Sequence, residues 1–183
     1  MANTFLIEVS AQTANTKKVF VSLEQMLNQT RKIKNENLPL QNSIEKISEL
    51  FLSRPFKNAP LGEGKNGLID TDPLFRFDAF DCVTFVEETV ALTLENDTHS
   101  FEEVLALIRY KDGKISYNTR HHFMMSQWIP ENIRQGFVKD ITATISTDFV
   151  QESALHITKN NWKEHKIRGV RLKPEEVPTG NFS

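Results

Sequence analysis

The sequence predicts an α+β domain with its helices first and its strands after. Three observations predict it. Apolar residues recur at helical spacing near the N-terminus, three further helical segments with recognisable start signals follow, and from Lys114 onward apolar and polar residues alternate. At 183 residues the chain fits a single domain. It divides into a helical extension over 1–40, a main region over 41–172 and a tail over 173–183.

Val19, Leu23, Met26, Leu27 and Ile33 share helical spacing and define the first helix. Asn42 followed by Glu45 reads as a capping box that opens a second, with Ile44, Ile47 and Phe51 on one face. Pro55 ends it. Pro60, Gly62, Gly64, Gly67 and Pro73 then mark a long loop to about Phe77, either functional or a plain solvated connection. Asp81 can cap a helix from Cys82 to about Leu94, and Ser100 with Glu103 reads as the capping box of another from Phe101 to Tyr110. Lys111-Asp112-Gly113 signals a turn, with a strand from Lys114 to Asn118 beyond it. Phe137, Lys139, Ile141, Ala143 and Ile145 alternate against Val138, Asp140, Thr142 and Thr144, a second strand. Val170-Arg171-Leu172 reads as a short third.

A hydrophobic fraction of 39% with 25% charged residues is globular, neither disordered nor fibrous. A net charge of −2 gives no footprint for nucleic acid or an anionic membrane. No apolar run is long enough to span a bilayer, and the N-terminus does not read as a signal peptide. The single cysteine excludes an internal disulfide.

That cysteine carries the sharpest signal, because Cys82 falls in the first turn of a predicted helix. Unpaired backbone N–H groups and the positive end of the helix dipole stabilise a thiolate there and can hold a developing oxyanion. A small buried hydrophobe is the competing reading. A thiol nucleophile also needs a base. Of the five histidines, His99 sits beside a predicted cap, and His156 and His165 lie in the weakly patterned C-terminal stretch. His121 and His122 follow a strand end, where extended backbone sends neighbours to opposite sides. One can then face a cleft while the other packs; two solvated loop histidines is the alternative. Arg109 and Arg120 can clamp a carboxylate, although Arg109 equally suits a helix C-terminus. Trp128 can stack on a sugar or serve as a buried anchor. The histidines lack a partner carboxylate or thiolate at a recognised spacing, so no metal is expected.

Phe80-Asp81-Cys82-Val83-Thr84-Phe85-Val86-Glu87, preceded by Leu61-Gly62-Glu63-Gly64 and by the stretch from Asp72 to Ala79, resembles the N-acetylmuramoyl-L-alanine amidase-like family. Ile108 to Gly113, Arg120 to Phe123, Trp128 and Gly136 to Thr142 keep the family's order and approximate spacing. The resemblance runs from about Ile44 to Trp162 and makes 41–172 the amidase-like region. It implies a papain-like, NlpC-type fold in which the helix bearing Cys82 packs on a small antiparallel sheet. Relatives continue into strands that bring a histidine opposite the cysteine. No such segment is recognisable after Leu172, so the sheet is expected to be incomplete. The implied reaction is hydrolysis of the amide joining N-acetylmuramic acid to L-alanine through a thioester on Cys82, with no metal or organic cofactor, the base being either His122 or a group in a segment this sequence lacks. Asp81 and Thr84 are expected to position the site. Arg109, Arg120, His121, Gln127 and Trp128 are expected to meet the substrate, Gln127 standing where relatives carry aspartate. The implied partner is a muropeptide or peptidoglycan fragment, in the periplasm or cell envelope. The alternative is a truncated, non-catalytic module that binds the same fragments or a partner protein.

Overall fold

Local side-chain caps set where several helices begin. The computed structural model describes residues 21–145. Helix α1 (Leu23–Lys34) opens on Ser22, whose hydroxyl accepts from the Gln25 amide while the Gln25 side chain accepts from the Ser22 amide. This capping box satisfies two N–H groups that a helix start leaves bare. Met26, Leu27 and Thr30 form its buried stripe. Helix α2 (Leu40–Glu49) starts behind Pro39, with no side-chain cap. The predicted Asn42–Glu45 box therefore lies inside the helix and does not open it. A turn from Leu50 onward ends α2 before Pro55 is reached. Ile47 and Phe51 are buried as expected, but Ile44 is exposed.

Helix α3 (Cys82–Leu94) is the hub, packed against α1, α2 and α4. Helix α4 (Thr98–Arg109) is capped by Asp97, which accepts from Ser100 N at 3.1 Å, so it begins three residues before the expected start. The core between these helices is aromatic. Phe51 lies 4.7 Å from Phe80, and Phe75 meets Phe101 edge-on at 5.5 Å. Phe77 and Phe80, from the loop that precedes α3, are buried there alongside Ile47, Leu92 and Ile108. Offset and edge-on ring pairs of this kind stabilise beyond their buried area. After α4 come a π-turn (Met124–Trp128), α5 (Ile129–Gln135) and a short α6 (Thr142–Ile145). The sequence pattern announced none of these three.

The expected α+β, papain-like architecture does not form. Among the described residues there is no sheet, only isolated bridges pairing Phe56 with Phe80 and Tyr110 with Arg120. Lys114 to Asn118 is not a strand. Thr119 Oγ1 donates to the carbonyls of Lys114 and Ser116 and pairs with Ser116 Oγ, drawing the chain into a 3₁₀ turn over Tyr117–Thr119. Short hydroxyl side chains compete with strand pairing in this way. The segment 137–145 fails for a related reason. Asp140 Oδ1 accepts from Thr142 N at 2.8 Å and starts a helical turn whose residues are all exposed. Alternation without a neighbouring strand or a surface to cover does not hold extended backbone. Helix α3 accordingly packs on helices where the NlpC-type arrangement would place a sheet. The strand expected at Val170–Leu172, the tail, His156 and His165 lie outside the described residues.

Candidate functional site

Cys82 is the first residue of α3 and is exposed. Asp81 before it has an extended backbone, and its Oδ1 accepts from Thr84 N at 2.9 Å. Thr84 Oγ1 accepts from Asp81 N at 3.0 Å and completes a capping box. The other carboxylate oxygen of Asp81 accepts from Ala59 N at 3.0 Å. Asp81 thus ties the helix start to the long loop, and both of its oxygens are committed to holding backbone. The first bond within α3 runs from Phe85 N to Asp81 O, at 3.1 Å. The amides of Cys82 and Val83 precede it at the electropositive helix end. Val86, one turn along on the same side, is also exposed, whereas Thr84, Glu87 and Glu88 are buried.

Glu87 gathers two of the expected site residues inside the protein. Its Oε2 accepts from Arg109 Nε at 2.7 Å and its Oε1 from Trp128 Nε1 at 2.9 Å. Arg109 also donates to Leu74 O at 2.5 Å. Arg109 and Trp128 are both buried, the tryptophan as an anchor joining the π-turn to α3. Glu88 is fully enclosed. Its Oε1 accepts from Arg76 N at 2.8 Å and its Oε2 has no partner. Burial pushes the Glu88 carboxyl well above the usual range, outweighing the opposing pull of Arg109. Sequence reasoning missed this pair as a feature. The available signal was two adjacent carboxylates in an otherwise apolar helix.

A second knot forms on Arg120. Its Nε donates to Glu63 Oε1 at 2.9 Å, and its Nη2 reaches Glu63 as well as Asp70 Oδ2, the latter at 3.0 Å. Tyr110 OH donates to Gly62 O at 2.9 Å. The Leu61–Gly64 stretch is therefore the seat of Arg120. Gly62 has no room for a side chain, since a Cβ there would meet Asp70 Oδ1 at 2.3 Å, and Gly64 adopts a φ of +79° that favours glycine. His122 is partly buried, its ring 4.5 Å from the Tyr117 ring and its Nε2 2.7 Å from Tyr117 O. A carbonyl only accepts, so Nε2 carries the hydrogen. Burial pushes the His122 pKa down to about 4 against the pull of that carbonyl, and the ring is neutral at pH 7.

His121 takes a different environment from its neighbour. Burial lowers its pKa too, and its Nε2 is enclosed without a partner. It lines a cavity of about 350 Å³ with Lys111, Ser126, Gln127, Glu131 and Arg134 among others. Gln127 Oε1 accepts from Phe123 N at 3.2 Å. The candidates therefore fall into separate groups. Asp81, Cys82 and Thr84 share a helix start, Arg109 and Trp128 share Glu87, Arg120 and His122 flank Tyr117, and His121 and Gln127 share the cavity wall with Arg120, which links the last two groups. Among the described residues no hydrogen bond joins Cys82 to either histidine. His99 is exposed, 3.2 Å from Glu103. No group of three or more His, Cys, Asp or Glu among the described residues is placed to hold a metal ion. No helix among them is long and apolar enough to cross a membrane.

The sequence model of the N-acetylmuramoyl-L-alanine amidase-like family matches residues 46–182. Among solved structures, the chain is similar to a Legionella pneumophila protein assigned to family DUF1460. The two are 34% identical with a TM-score of 0.67, over 84% of this chain and 55% of that one. It is also similar to a candidate xylanase from Bacteroides fragilis, 31% identical with a TM-score of 0.55, over 71% of this chain and 56% of the other. The chain spans just over half the length of each. No curated protein matches it.

Proposed function

The chain belongs to the N-acetylmuramoyl-L-alanine amidase-like family, and from that premise we propose that it is a cell-envelope cysteine amidase acting on peptidoglycan fragments, with Cys82 as its nucleophile. The observation that carries this reading is an exposed thiol on the first residue of a capped helix, inside the stretch that matches the family. The sulfur attacks the lactyl carbonyl of the N-acetylmuramoyl group, and the amides of Cys82 and Val83 stand ready for the oxyanion. The C–N bond breaks as the alanyl amine takes a proton. Water then cleaves the thioester, giving the muramoyl carboxylate and the free thiol. Asp81 and Thr84 position the sulfur through the cap.

We assign the proton transfer to His122. With Nε2 donating to Tyr117, the neutral ring accepts at Nδ1. A base with a pKa of about 4 is weak, but it is unprotonated across the whole neutral range. The expected kcat/KM profile therefore holds level downward from pH 7 and falls only as pH approaches 4. A profile that breaks near pH 6.5 would take His122 out of this role.

The direct test incubates the full chain with purified muropeptides and follows release of the alanyl peptide by mass spectrometry. Native protein is expected to turn over, and Cys82→Ala to lose turnover at unchanged melting temperature. Equal turnover in Cys82→Ala would sink the nucleophile assignment. A second reading is a non-catalytic module that binds muropeptides, favoured by the lack of a hydrogen bond between Cys82 and a histidine among the described residues. It predicts binding without turnover by the native chain.

A further inference from the structure

The π-turn at Met124–Trp128 borders the 350 Å³ cavity and contributes Ser126 and Gln127 to its wall. Such turns are rare and concentrate at functional sites, and the volume suits a small ligand. The polar groups of the wall are unevenly spent. Its one carboxylate, Glu131, is already engaged by Arg134 and by Gln135 at 3.2 Å. Arg120 is held by Glu63 and Asp70. Lys111 is exposed and makes no ion pair among the described residues. Gln127 has its carbonyl oxygen committed to Phe123 N, which leaves its NH₂ as the unspent group. Ser126 Oγ and His121 Nε2 are closed off from solvent with no partner. Buried polar atoms in that state are few in native proteins.

An uncommitted Lys111 ammonium, free donors on Gln127 and Ser126 and a lone carboxylate already engaged by Arg134 disfavour cations and apolar molecules. They suit a ligand with a single negative charge and several acceptor oxygens. We propose that this cavity binds a small monocarboxylate, the acid end of a peptide or of an acylated amino acid. Lys111 pairs with the carboxylate, while the Gln127 amide and, after rotation about χ1, the Ser126 hydroxyl donate to its oxygens. Cys82 is not among the residues that line the cavity, so the proposal stands apart from the nucleophile assignment.

The test uses two probes of matched size, the anion N-acetyl-L-alanine and its neutral carboxamide N-acetyl-L-alaninamide, titrated into the ¹⁵N-labelled full chain and followed by amide shifts. The acid is expected to give saturable shifts at Lys111, Ser126 and Gln127, and the amide to bind about fivefold more weakly, the upper range for one solvent-facing ion pair. Lys111→Met is expected to bring the acid down to the affinity of the amide. Equal affinities for the two probes, or shifts that map elsewhere, would overturn the proposal. The same titration run beside the muropeptide assay on the native chain separates the two assignments. Carboxylate binding by a native chain that shows no muropeptide turnover defeats only the nucleophile, and native turnover without carboxylate preference defeats only the cavity.

Discussion

The two halves of one motif on α3 treat polar side chains in opposite ways. At the start, Asp81 and Thr84 spend their oxygens on backbone amides and leave Cys82 in solvent. One turn further, Glu87 and Glu88 are enclosed, one ion-paired and the other pushed by burial toward its uncharged form. The start is a local device, closed within four residues apart from the bond to Ala59. The buried half is long-range, drawing on Arg109, Trp128, Leu74 and the Arg76 amide. The difference teaches that chemistry and stability are separable along this helix. Substitutions at one end should change activity and at the other should change folding.

Four measurements can break or sharpen that contrast. The largest effect expected is on turnover, where Cys82→Ala should remove all muropeptide cleavage with a melting temperature within about 1 °C of native, as befits an exposed side chain. A large drop in melting temperature would erase the distinction. Next, Arg109→Ala should cost about 3–5 kcal/mol by urea denaturation, because it strands the Glu87 carboxylate in the core. A loss below about 1 kcal/mol would mean that the pair is not buried in solution. Third, Asp81→Ala should cost about 1 kcal/mol through the lost cap and also slow Cys82 alkylation, whereas Asp81→Asn should largely restore stability.

The smallest effect is expected from Glu88→Gln, since glutamine keeps the shape of a carboxyl that burial drives toward its uncharged form. Its folded pKa lies above the unfolded value near 4.5. The protonated carboxyl therefore contributes in full below about pH 4.5, and that contribution is lost as pH rises toward the folded value. Glutamine carries no such dependence, so its stability relative to native should improve between pH 5 and pH 8. An unchanged gap over that range would show that Glu88 titrates normally.

What could be read from the sequence follows the same division. The range of α3 and its Asp81 cap were legible because the signal lies within a few adjacent residues. The same local rule misled at Asn42–Glu45 and at Ser100–Glu103, where the spacing is present but Pro39 and Asp97 hold the cap positions. The strands were not legible. Alternation at 137–145 records only the order of residue types, and whether a neighbouring strand exists is a tertiary fact. Likewise Arg109 and Trp128 look like surface ligands until Glu87, 22 and 41 residues away in sequence, is brought against them. The opposed environments of His121 and His122 are consistent with the extended-chain expectation, although the strand expected to impose them is replaced by a single bridge at Arg120.

The π-turn carries a consequence for how this segment tolerates length changes. Its wide winding is what delivers the indole of Trp128 to Glu87. Removing one residue between Met124 and Gln127 would let the coil tighten to ordinary pitch, rotating everything downstream by about 100° about the axis. The indole would swing off its carboxylate and α5 would present a different face to the protein. A deletion here is thus a far harsher change than any point substitution in the same stretch, because it re-aims a whole helix.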